Sequence, residues 1–332
     1  MNIHRLGEHI SNYTYYSLKV NGVEDYVDID FVKWLIWLFT PIIVTFILPF
    51  LILVLFYVSA LIVHIYKHRS KLQIVKEACV KGDYFDGARM LIAYIWDAHG
   101  CIWHGYEIVN LNNIPQEGPA LIVYYHGAIP LDYYYLLAKC LLNKRRLIKA
   151  VGDRFLFSIP GKVIRWKLMM EVFHVFPGTV QTCVQVLEKG DLLSIAPGGV
   201  KEAQFGDNTY NLIWGNRIGF AKVALAAKVP IIPVFTVNIR EAFRSLSIGK
   251  NFFRKIYEKT RLPIVPIYGG FPVKLKTIVG KPIEYDKNLT PEQLALKVAE
   301  TIETMIRENQ RIPGSILKAL FDRFKWSTSK QL

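Results

Sequence analysis

The feature that most constrains this chain of 332 residues is a stretch of 33 residues, Trp34 to Tyr66, without a charged side chain. A helix needs roughly 20 apolar residues to cross a membrane, so this stretch is long enough. Buried core helices seldom stay uncharged over such a length. A cleavable signal peptide is excluded because the stretch begins too late and is too long. We therefore predict an N-terminal membrane-embedded helical segment, with residues 34–66 as the anchor and residues 1–33 before it.

The path of this anchor has two alternatives. One helix over the whole stretch would measure about 50 Å, well beyond a hydrocarbon core of about 30 Å. Pro41 can begin a shorter spanning helix that Pro49 kinks, or the stretch forms a hairpin that enters and leaves by the same face. Glycosylation at the Asn12 sequon would favour the single span. Basic residues after the stretch predict a cytosolic body, and they are Lys67, Arg69, Lys71 and Lys76.

Positive charge is concentrated outside the anchor. The whole chain carries a net charge of +14, residues 1–66 carry −2 and the remainder carries +16. A basic body predicts an anionic partner, which is a phosphate group, a nucleic acid or a lipid headgroup surface. A nucleic acid is not expected as the partner, because the basic body has no recognition motif and follows an uncharged membrane stretch.

The cysteines and their neighbouring histidines do not predict a disulfide scaffold or a metal site. The four cysteines lie far apart without a C-x-x-C pair, which suits a reducing compartment. His99, Cys101 and His104 are close together but lack further partners at metal-ligand spacing. We therefore interpret these three residues as structural and predict no metal.

The body of the chain predicts an α/β fold. After connecting helices at residues 67–104, strand-like and helical patterns alternate through a domain at residues 105–289. The strand candidates are residues 120–125, 192–196, 231–236 and 273–279. The helical patterns lie at about residues 160–173, 178–189 and 215–228. This alternation predicts a mostly parallel central sheet flanked by helices.

Residues 290–332 predict two amphipathic helices. Thr290 to Gln293 form a capping box with proline at the first helical position, and an apolar face follows at Leu294, Val298, Ile302, Met305 and Ile306. A second apolar face consists of Ile316, Leu317, Leu320, Phe321 and Phe324. Packing on the domain is the favoured interpretation of this second face, and contact with a membrane surface is the alternative.

A histidine follows the first strand candidate directly, in the segment His126-Gly-Ala-Ile-Pro-Leu-Asp132. Ligands of α/β folds bind at the carboxyl ends of strands. The imidazole of His126 can take a proton from a hydroxyl group, and a carboxylate on its other nitrogen would orient it. Six residues of regular helix would separate the two side chains by about 240°. Asp132 can therefore reach His126 only if the loop at residues 127–130 folds back.

A second candidate for a functional loop is Ala196-Pro-Gly-Gly-Val-Lys-Glu-Ala203, which also follows a strand candidate. Its paired glycines, Gly198 and Gly199, expose backbone N–H groups to an anion or a developing oxyanion. The charged residues Lys201 and Glu202 follow directly. The sequence contains no G-x-S-x-G motif and no nucleotide-binding glycine loop, so neither a hydrolase serine elbow nor a nucleotide site is supported.

These blocks resemble the glycerolipid acyltransferase superfamily. The His126–Asp132 segment, Pro197-Gly-Gly-Val-Lys-Glu-Ala203 and Val229-Pro-Ile-Ile-Pro-Val234 match its histidine–aspartate, glycine and proline blocks in order. Asn238-Ile-Arg-Glu241 and Gly280-Lys-Pro-Ile283 resemble the diacylglycerol acyltransferase 2-related branch. The resemblance covers most of the chain from about residue 31.

The chain departs from the superfamily pattern in two places. Five residues separate His126 from Asp132, whereas the superfamily usually has four. The usual Phe-Pro-Glu-Gly block is replaced by Ala196-Pro-Gly-Gly199 and loses its glutamate. In relatives that use lysophosphatidate this block helps to position a phosphorylated acceptor. Its change therefore implies a neutral mono- or diacylglycerol acceptor, and Glu202 is a candidate for the missing acid.

The resemblance implies a membrane-bound enzyme that transfers an acyl chain from acyl-CoA to a glycerolipid hydroxyl. It implies His126 as general base, Asp132 as its partner, and Gly198 and Gly199 as oxyanion donors. No cofactor is expected, and acyl-CoA is the co-substrate. The basic residues that we predict to hold the CoA phosphates are Arg154, Lys201, Arg217 and Arg240.

Several further properties follow from the same resemblance. The expected location is the endoplasmic reticulum membrane, with the catalytic domain facing the cytosol and membrane lipids as partners. The alternative functions are a lysophospholipid acyltransferase and a catalytically inactive membrane scaffold of the same fold. Acyl-chain length and oligomeric state are open.

Overall fold

A computed structural model describes residues 31–67, 75, 77–80, 85–158 and 166–324. The chain divides into two compact units, one up to His64 and one from Ile65 onward. The predicted N-terminal segment lies outside the described residues up to residue 30, and so does the Asn12 sequon. The basic residues Arg69, Lys71 and Lys76 lie outside them as well.

The first unit contains the helix α1, Phe31–Lys67, which covers the whole uncharged stretch without a break. Proline at positions 41 and 49 does not end this helix. Among the residues that the structure describes, we find no helix that is both long enough and apolar enough to cross a membrane. The segment predicted as a membrane anchor, residues 34–66, is helical. The membrane span that we predicted for it is not found among the described residues.

The second unit is built on a sheet of seven described strands. The strands of this unit are β1 (Glu107–Val109), β2 (Ala120–Tyr124), β3 (Ile148–Gly152), β4 (Val175–Pro177), β5 (Leu192–Ile195), β6 (Ile231–Val237), β7 (Phe243–Ser245), β8 (Ile267–Gly269) and β9 (Lys276–Val279). The sheet order is β1-β9-β6-β2-β5-β3-β4, and β7 pairs with β8 separately. Only the β6–β9 pair of this sheet is antiparallel among the described strands. The predicted α/β class with a mostly parallel sheet is confirmed.

Helices cover both faces of the sheet. They are α2 (Asp86–His104), α3 (Leu131–Lys144), α4 (Arg154–Ser158), α5 (Trp166–Val172), α6 (Val180–Glu188), α7 (Gly199–Phe205), α8 (Gly219–Ala227), α9 (Ile239–Ala242), α10 (Lys250–Thr260), α11 (Pro291–Asn309) and α12 (Ile316–Phe324). One apolar cluster joins β2 to α6, α8 and α11, and another joins it to α2 and α3. The central strands are apolar on both faces because both faces are covered in this way.

The strand and helix predictions agree with the structure to within a few residues. The last predicted strand begins at Lys276 rather than at residue 273. Val273 and Leu275 are buried, but the N–H of Val273 donates to the Phe271 carbonyl in a local turn instead of to a neighbouring strand. The predicted helix at residues 160–173 is described only from Trp166 onward.

The C-terminal helix α11 begins as its sequence predicts. Thr290 accepts a hydrogen bond from the N–H of Gln293, whose side chain accepts one from the Thr290 N–H, and Pro291 is the first helical residue. Its five predicted apolar residues are all buried. This local agreement fixes the start of the helix before any tertiary contact contributes.

The last helix, α12, contacts the body through a different residue from those predicted. Ala319 is fully buried, and its carbonyl accepts a hydrogen bond from the N–H of Lys274. Leu320 packs beside it, whereas Leu317, Phe321 and Phe324 are exposed. The small Ala319 permits the close backbone approach that a larger side chain would prevent. The predicted apolar face is therefore divided between the body and the surface.

Thr290→Ala removes one half of the capping box. We expect the free energy of unfolding to fall by about 1 kcal/mol, because the N–H of Gln293 loses its acceptor. The measurement is chemical denaturation of the detergent-solubilised chain. Thr301→Ala in the middle of the same helix is the control and should leave the stability unchanged. Equal losses in both variants would contradict a capping role.

Candidate active site

The sheet brings the two sequence-predicted loops together. Strands β2 and β5 are parallel neighbours, with Ala120 paired to Leu192 and Val123 to Ile195. The carboxyl ends of parallel neighbours lie at the same edge of a sheet. His126 and the glycine loop at residues 196–203 therefore begin side by side.

The side chain of Glu202 connects these two loops directly. It is fully buried; its Oε2 accepts a hydrogen bond of 2.9 Å from the His126 N–H, and its Oε1 accepts one of 3.0 Å from the Ile213 N–H. At Gly198, an added Cβ would lie 2.4 Å from this carboxylate. Only glycine fits at that position, because any larger residue would displace the carboxylate from the two backbone donors.

Burial raises the pKa of Glu202 to about 7. Hydrogen bonds from the Ile213 and His126 N–H groups and the nearby charges of Arg240 and Arg217 act in the opposite direction. The carboxylate is thus a buried acid that changes its charge near neutral pH. Its two oxygens accept hydrogen bonds from backbone donors, so Glu202 shapes the turn at His126.

Arg240 is hydrogen-bonded to the same turn. Its guanidinium donates to the Tyr125 hydroxyl at 2.6 Å, to the His126 carbonyl at 3.1 Å and to the Glu202 carbonyl at 2.5 Å. The side chain is 1% exposed. We predicted that Arg240 holds CoA phosphates. In this structure its guanidinium donates to buried acceptors of the protein, and phosphate binding by Arg240 stays a prediction.

The imidazole of His126 is held by the next residue. Its Nδ1 lies 2.7 Å from the Gly127 carbonyl oxygen. A carbonyl can only accept, so Nδ1 carries the proton and Nε2 keeps its lone pair in the neutral ring. Burial lowers the pKa of His126 to about 4, against the opposing effect of the Gly127 hydrogen bond. The ring is therefore neutral at physiological pH and its Nε2 can accept a proton.

Asp132 is not hydrogen-bonded to this ring in the described part of the chain. It lies in the first turn of α3, is buried, and its Oδ1 has no hydrogen-bond partner among the described residues. Neither a hydrogen bond nor an ion pair joins it to His126 in the part of the chain that the structure describes. The predicted hydrogen bond between the two side chains is therefore not formed among the described residues.

The buried environment of Asp132 shifts the pKa of its carboxyl group. Burial raises the pKa of its carboxyl to about 6, and a hydrogen bond from Thr236 on β6 lowers it in part. The carboxyl group is thus mostly ionised at neutral pH while one of its oxygens is unsatisfied. An unsatisfied buried carboxylate oxygen is costly, and such groups concentrate at functional sites.

The glycine loop adopts a tight turn at the start of α7. Gly199 has φ of +46°, which a residue with a side chain adopts at a cost. Its N–H donates to the Ala196 carbonyl at 3.0 Å, so this predicted oxyanion donor is already paired. Arg217 donates to the carbonyls of Pro197 and Gly198, at 3.0 and 2.9 Å.

A cavity of about 490 Å³ is connected to this loop through Arg217, which lines the cavity and donates to the loop carbonyls. It is lined by Gly152, Asp153, Arg154, Phe155, Pro177, Gly178, Arg217, Tyr257, Thr260, Arg261 and Leu262. It brings together Arg154 and Arg217, two of the four predicted phosphate-binding residues. Neither Lys201 nor Arg240 lines it.

Sequence reasoning missed Arg261, the third arginine of this cavity. Its guanidinium carbon lies 5.8 Å from the centre of the Tyr257 ring. Arg261 ends α10 in a left-handed conformation, in a segment to which the sequence analysis assigned no element. The alternation of charged and aromatic residues there was the available signal.

The histidine–cysteine group near residue 100 has structural contacts. His104 is fully buried, and its Nδ1 lies 2.9 Å from the Val273 carbonyl oxygen. The Nδ1 of His99 lies 2.6 Å from the Tyr135 hydroxyl. Among the described residues, no group of histidine, cysteine and carboxylate side chains could hold a metal ion.

Comparison with known proteins identifies the family of the chain. A family model described as Acyltransferase matches residues 105–237. The protein named "DGAT1/2-independent enzyme synthesizing storage lipids" from Bos taurus is 49% identical over 306 residues, which cover 92% of this chain and 88% of the relative. The protein of the same name from Homo sapiens is 48% identical over 305 residues, covering 92% and 90% of the two chains. These relatives are also known as transmembrane protein 68.

One solved structure is also similar. It is the 1-acyl-sn-glycerophosphate (LPA) acyltransferase PlsC from Thermotoga maritima, with 15% identity and a TM-score of 0.47, covering 78% of this chain and 96% of that chain.

The raised pKa of Glu202 predicts a pH dependence of stability. The folded chain keeps the carboxyl proton up to about pH 7, whereas the unfolded chain loses it near pH 4.5. The folded state therefore binds more protons between these values, and raising the pH through this window favours unfolding by roughly 3 kcal/mol. The measurement is chemical denaturation across this pH range.

Glu202→Gln should remove this part of the pH dependence, since glutamine does not titrate. Glu258→Gln, an exposed replacement on α10, should keep the slope of the parent chain. Stability profiles that run parallel across pH for the parent and Glu202→Gln would contradict the prediction. They would show that Glu202 has the same pKa in the folded and unfolded chains.

Proposed function

This chain belongs to the glycerolipid acyltransferase family, and from that membership we propose that it moves an acyl chain from acyl-CoA to the hydroxyl of a neutral mono- or diacylglycerol. The observation that carries the proposal is the state of His126. Its ring is neutral, Nδ1 is occupied by the Gly127 carbonyl, and Nε2 is left as the basic nitrogen.

His126 acts as the general base in this proposal. Its Nε2 takes the proton of the acceptor hydroxyl while the hydroxyl oxygen attacks the thioester carbonyl. The tetrahedral intermediate then expels the CoA thiolate, which receives the proton from the imidazolium. A thiolate is a good leaving group, so the reaction requires no covalent intermediate on the protein.

Asp132 is proposed as the carboxylate that supports the imidazolium. Two observations support this role, namely its burial and the unsatisfied Oδ1 that can accept a donor. Catalytic hydrogen bonds are often long or absent before substrate binds, and they tighten in the substrate complex. A rotation of the His126 ring away from the Gly127 carbonyl would let Nδ1 donate to Asp132 instead.

The cavity connected to the glycine loop through Arg217 is proposed to hold the phosphate groups of acyl-CoA. Arg154, Arg217 and Arg261 line it, and arginine binds phosphate oxygens with two parallel hydrogen bonds. Arg217 also contacts the carbonyl of Gly198, so the donor would lie next to the glycine turn. Gly198 is the backbone N–H donor that we retain for the oxyanion.

The neutral acceptor is supported by the composition of the glycine loop. Gly198 and Gly199 stand where lysophosphatidate-using relatives of the superfamily carry glutamate and glycine. Glu202 cannot replace that glutamate, because both of its oxygens are bound to backbone N–H groups. The name of the mammalian relatives, which states that they synthesise storage lipids, agrees with a neutral lipid product.

We also propose the endoplasmic reticulum membrane as the location, with the catalytic domain facing the cytosol. The uncharged stretch from Trp34 to Tyr66 and the basic residues that follow it support this proposal. Both substrates would then be accessible, since acyl-CoA is soluble in the cytosol and the acceptor lies in the lipid phase.

His126→Ala should lower the turnover of purified protein with radiolabelled acyl-CoA and diacylglycerol by about 10²- to 10⁴-fold, because the general base is lost. His174→Ala, at an exposed turn before β4, is the matched control and should retain full activity.

Asp132→Asn should lower kcat more than it raises KM. Parent-level activity in His126→Ala would refute the base, and transfer to lysophosphatidate alone would refute the neutral acceptor.

Arg261→Ala should raise the KM for acyl-CoA by about tenfold, because a charge-assisted phosphate contact is lost. The KM for the matching acyl-pantetheine, which has no phosphate, should stay unchanged. Arg307→Ala on the exposed side of α11 is the control. An equal rise in KM for both donors would place the effect of Arg261 outside phosphate binding.

A further inference from the structure

The segment between β6 and β9 carries an exposed surface that the catalytic proposal does not use, apart from Leu262, which lines the cavity. Ile248 and Phe252 are 77% and 63% exposed, and Leu262 and Ile267 are also exposed. Lys255 and Lys259 lie among them and are exposed as well. We call these six residues the α10 surface. Exposed large apolar residues in such number, beside cations, indicate an interaction site.

The α10 surface is held rigidly by the residues beneath it. Tyr257 and Val265 are buried against Val200 and Phe205 of α7. The N–H of Val265 donates to the Gln204 side chain at 3.2 Å. The exposed side chains are therefore presented by a fixed element and do not belong to a loose loop.

The phase of the helix places apolar and basic residues on one side. At 100° per residue, Phe252, Lys255 and Lys259 fall within about 60° of one another. Tyr257 lies about 140° from Phe252 and is the residue buried against the body. Residues 248–268 contain five basic residues and one acidic residue, a net charge of +4.

We propose that the α10 surface docks on a lipid bilayer that contains anionic phospholipids. An aromatic ring flanked by lysines on one face is typical of helices that lie in a membrane interface, where the ring enters the acyl region and the ammonium groups reach the phosphates. Lysine is depleted in the centre of protein–protein interfaces, so Lys255 and Lys259 beside Phe252 fit a protein partner less well.

This docking goes beyond the proposed function and does not depend on it, but the two are adjacent. Arg261 and Leu262 line the cavity, and Leu262 also belongs to the α10 surface. The helix packs on α7, which carries Glu202. Docking would therefore set the edge of the cavity at the level of the lipid headgroups.

The test uses the full chain reconstituted in vesicles, with an environment-sensitive fluorophore on a single introduced cysteine. The background carries Cys79→Ser and Cys101→Ser, because Cys140 and Cys183 are buried. Phe252→Cys reports on the α10 surface, and Leu296→Cys on α11, with a similar exposure of 61%, is the control. Quenching by phospholipids with brominated acyl chains measures contact with the bilayer.

In vesicles of phosphatidylcholine and phosphatidylserine, the label at position 252 should be quenched and blue-shifted, and the label at position 296 should not. In phosphatidylcholine alone, or after Lys255→Glu with Lys259→Glu, quenching at position 252 should fall, since each cation contributes about fivefold to surface affinity. Turnover does not enter this measurement, so an inactive enzyme would leave it interpretable.

Three results would overturn the proposal. The first is equal quenching at positions 252 and 296. The second is quenching at position 252 that is indifferent to phosphatidylserine. The third is that the label at position 252 becomes less accessible to quenchers in detergent as the protein concentration rises. That result would assign the surface to a second copy of the chain.

Discussion

The geometry of the candidate site depends on one buried cation, Arg240. Its guanidinium binds the Tyr125 hydroxyl and the carbonyls of His126, Glu202 and Ala203, so it joins the end of β2 to α7 and to the segment after β6. A buried charge is tolerated only when its donors are all satisfied. Gly206 leaves the required space, because a Cβ there would lie 2.0 Å from the guanidinium. The turn that carries His126 is therefore positioned by the hydrogen bonds of Arg240.

The layout of the fold was readable from the sequence because it follows from local patterns. Buried strands such as Ala120–Tyr124 are continuous apolar runs, and the Thr290 cap is complete within four residues. The position of His126 and of the glycine loop at the ends of strands followed from the same patterns, whereas their adjacency depends on the strand order. Such inferences require no knowledge of which side chains meet.

The pairing of side chains was not predictable in the same way. Arg240 was expected at a ligand and lies in the interior, and Asp132 was expected at His126 and lies beside Thr236. Both outcomes depend on a few ångströms of loop geometry that composition and spacing do not encode. Arg261 was missed because no element was assigned to its segment, and α10 is positioned by the tertiary contact of Tyr257 with Phe205.

Arg217 contacts both the glycine turn and the cavity. Its guanidinium binds the carbonyls of Pro197 and Gly198 and also faces the cavity. Any anion that draws this guanidinium toward itself competes with those carbonyls. Occupancy of the cavity and the stiffness of the glycine turn are therefore thermodynamically linked, and the linkage is reciprocal: a turn that relaxes also changes the affinity for the anion.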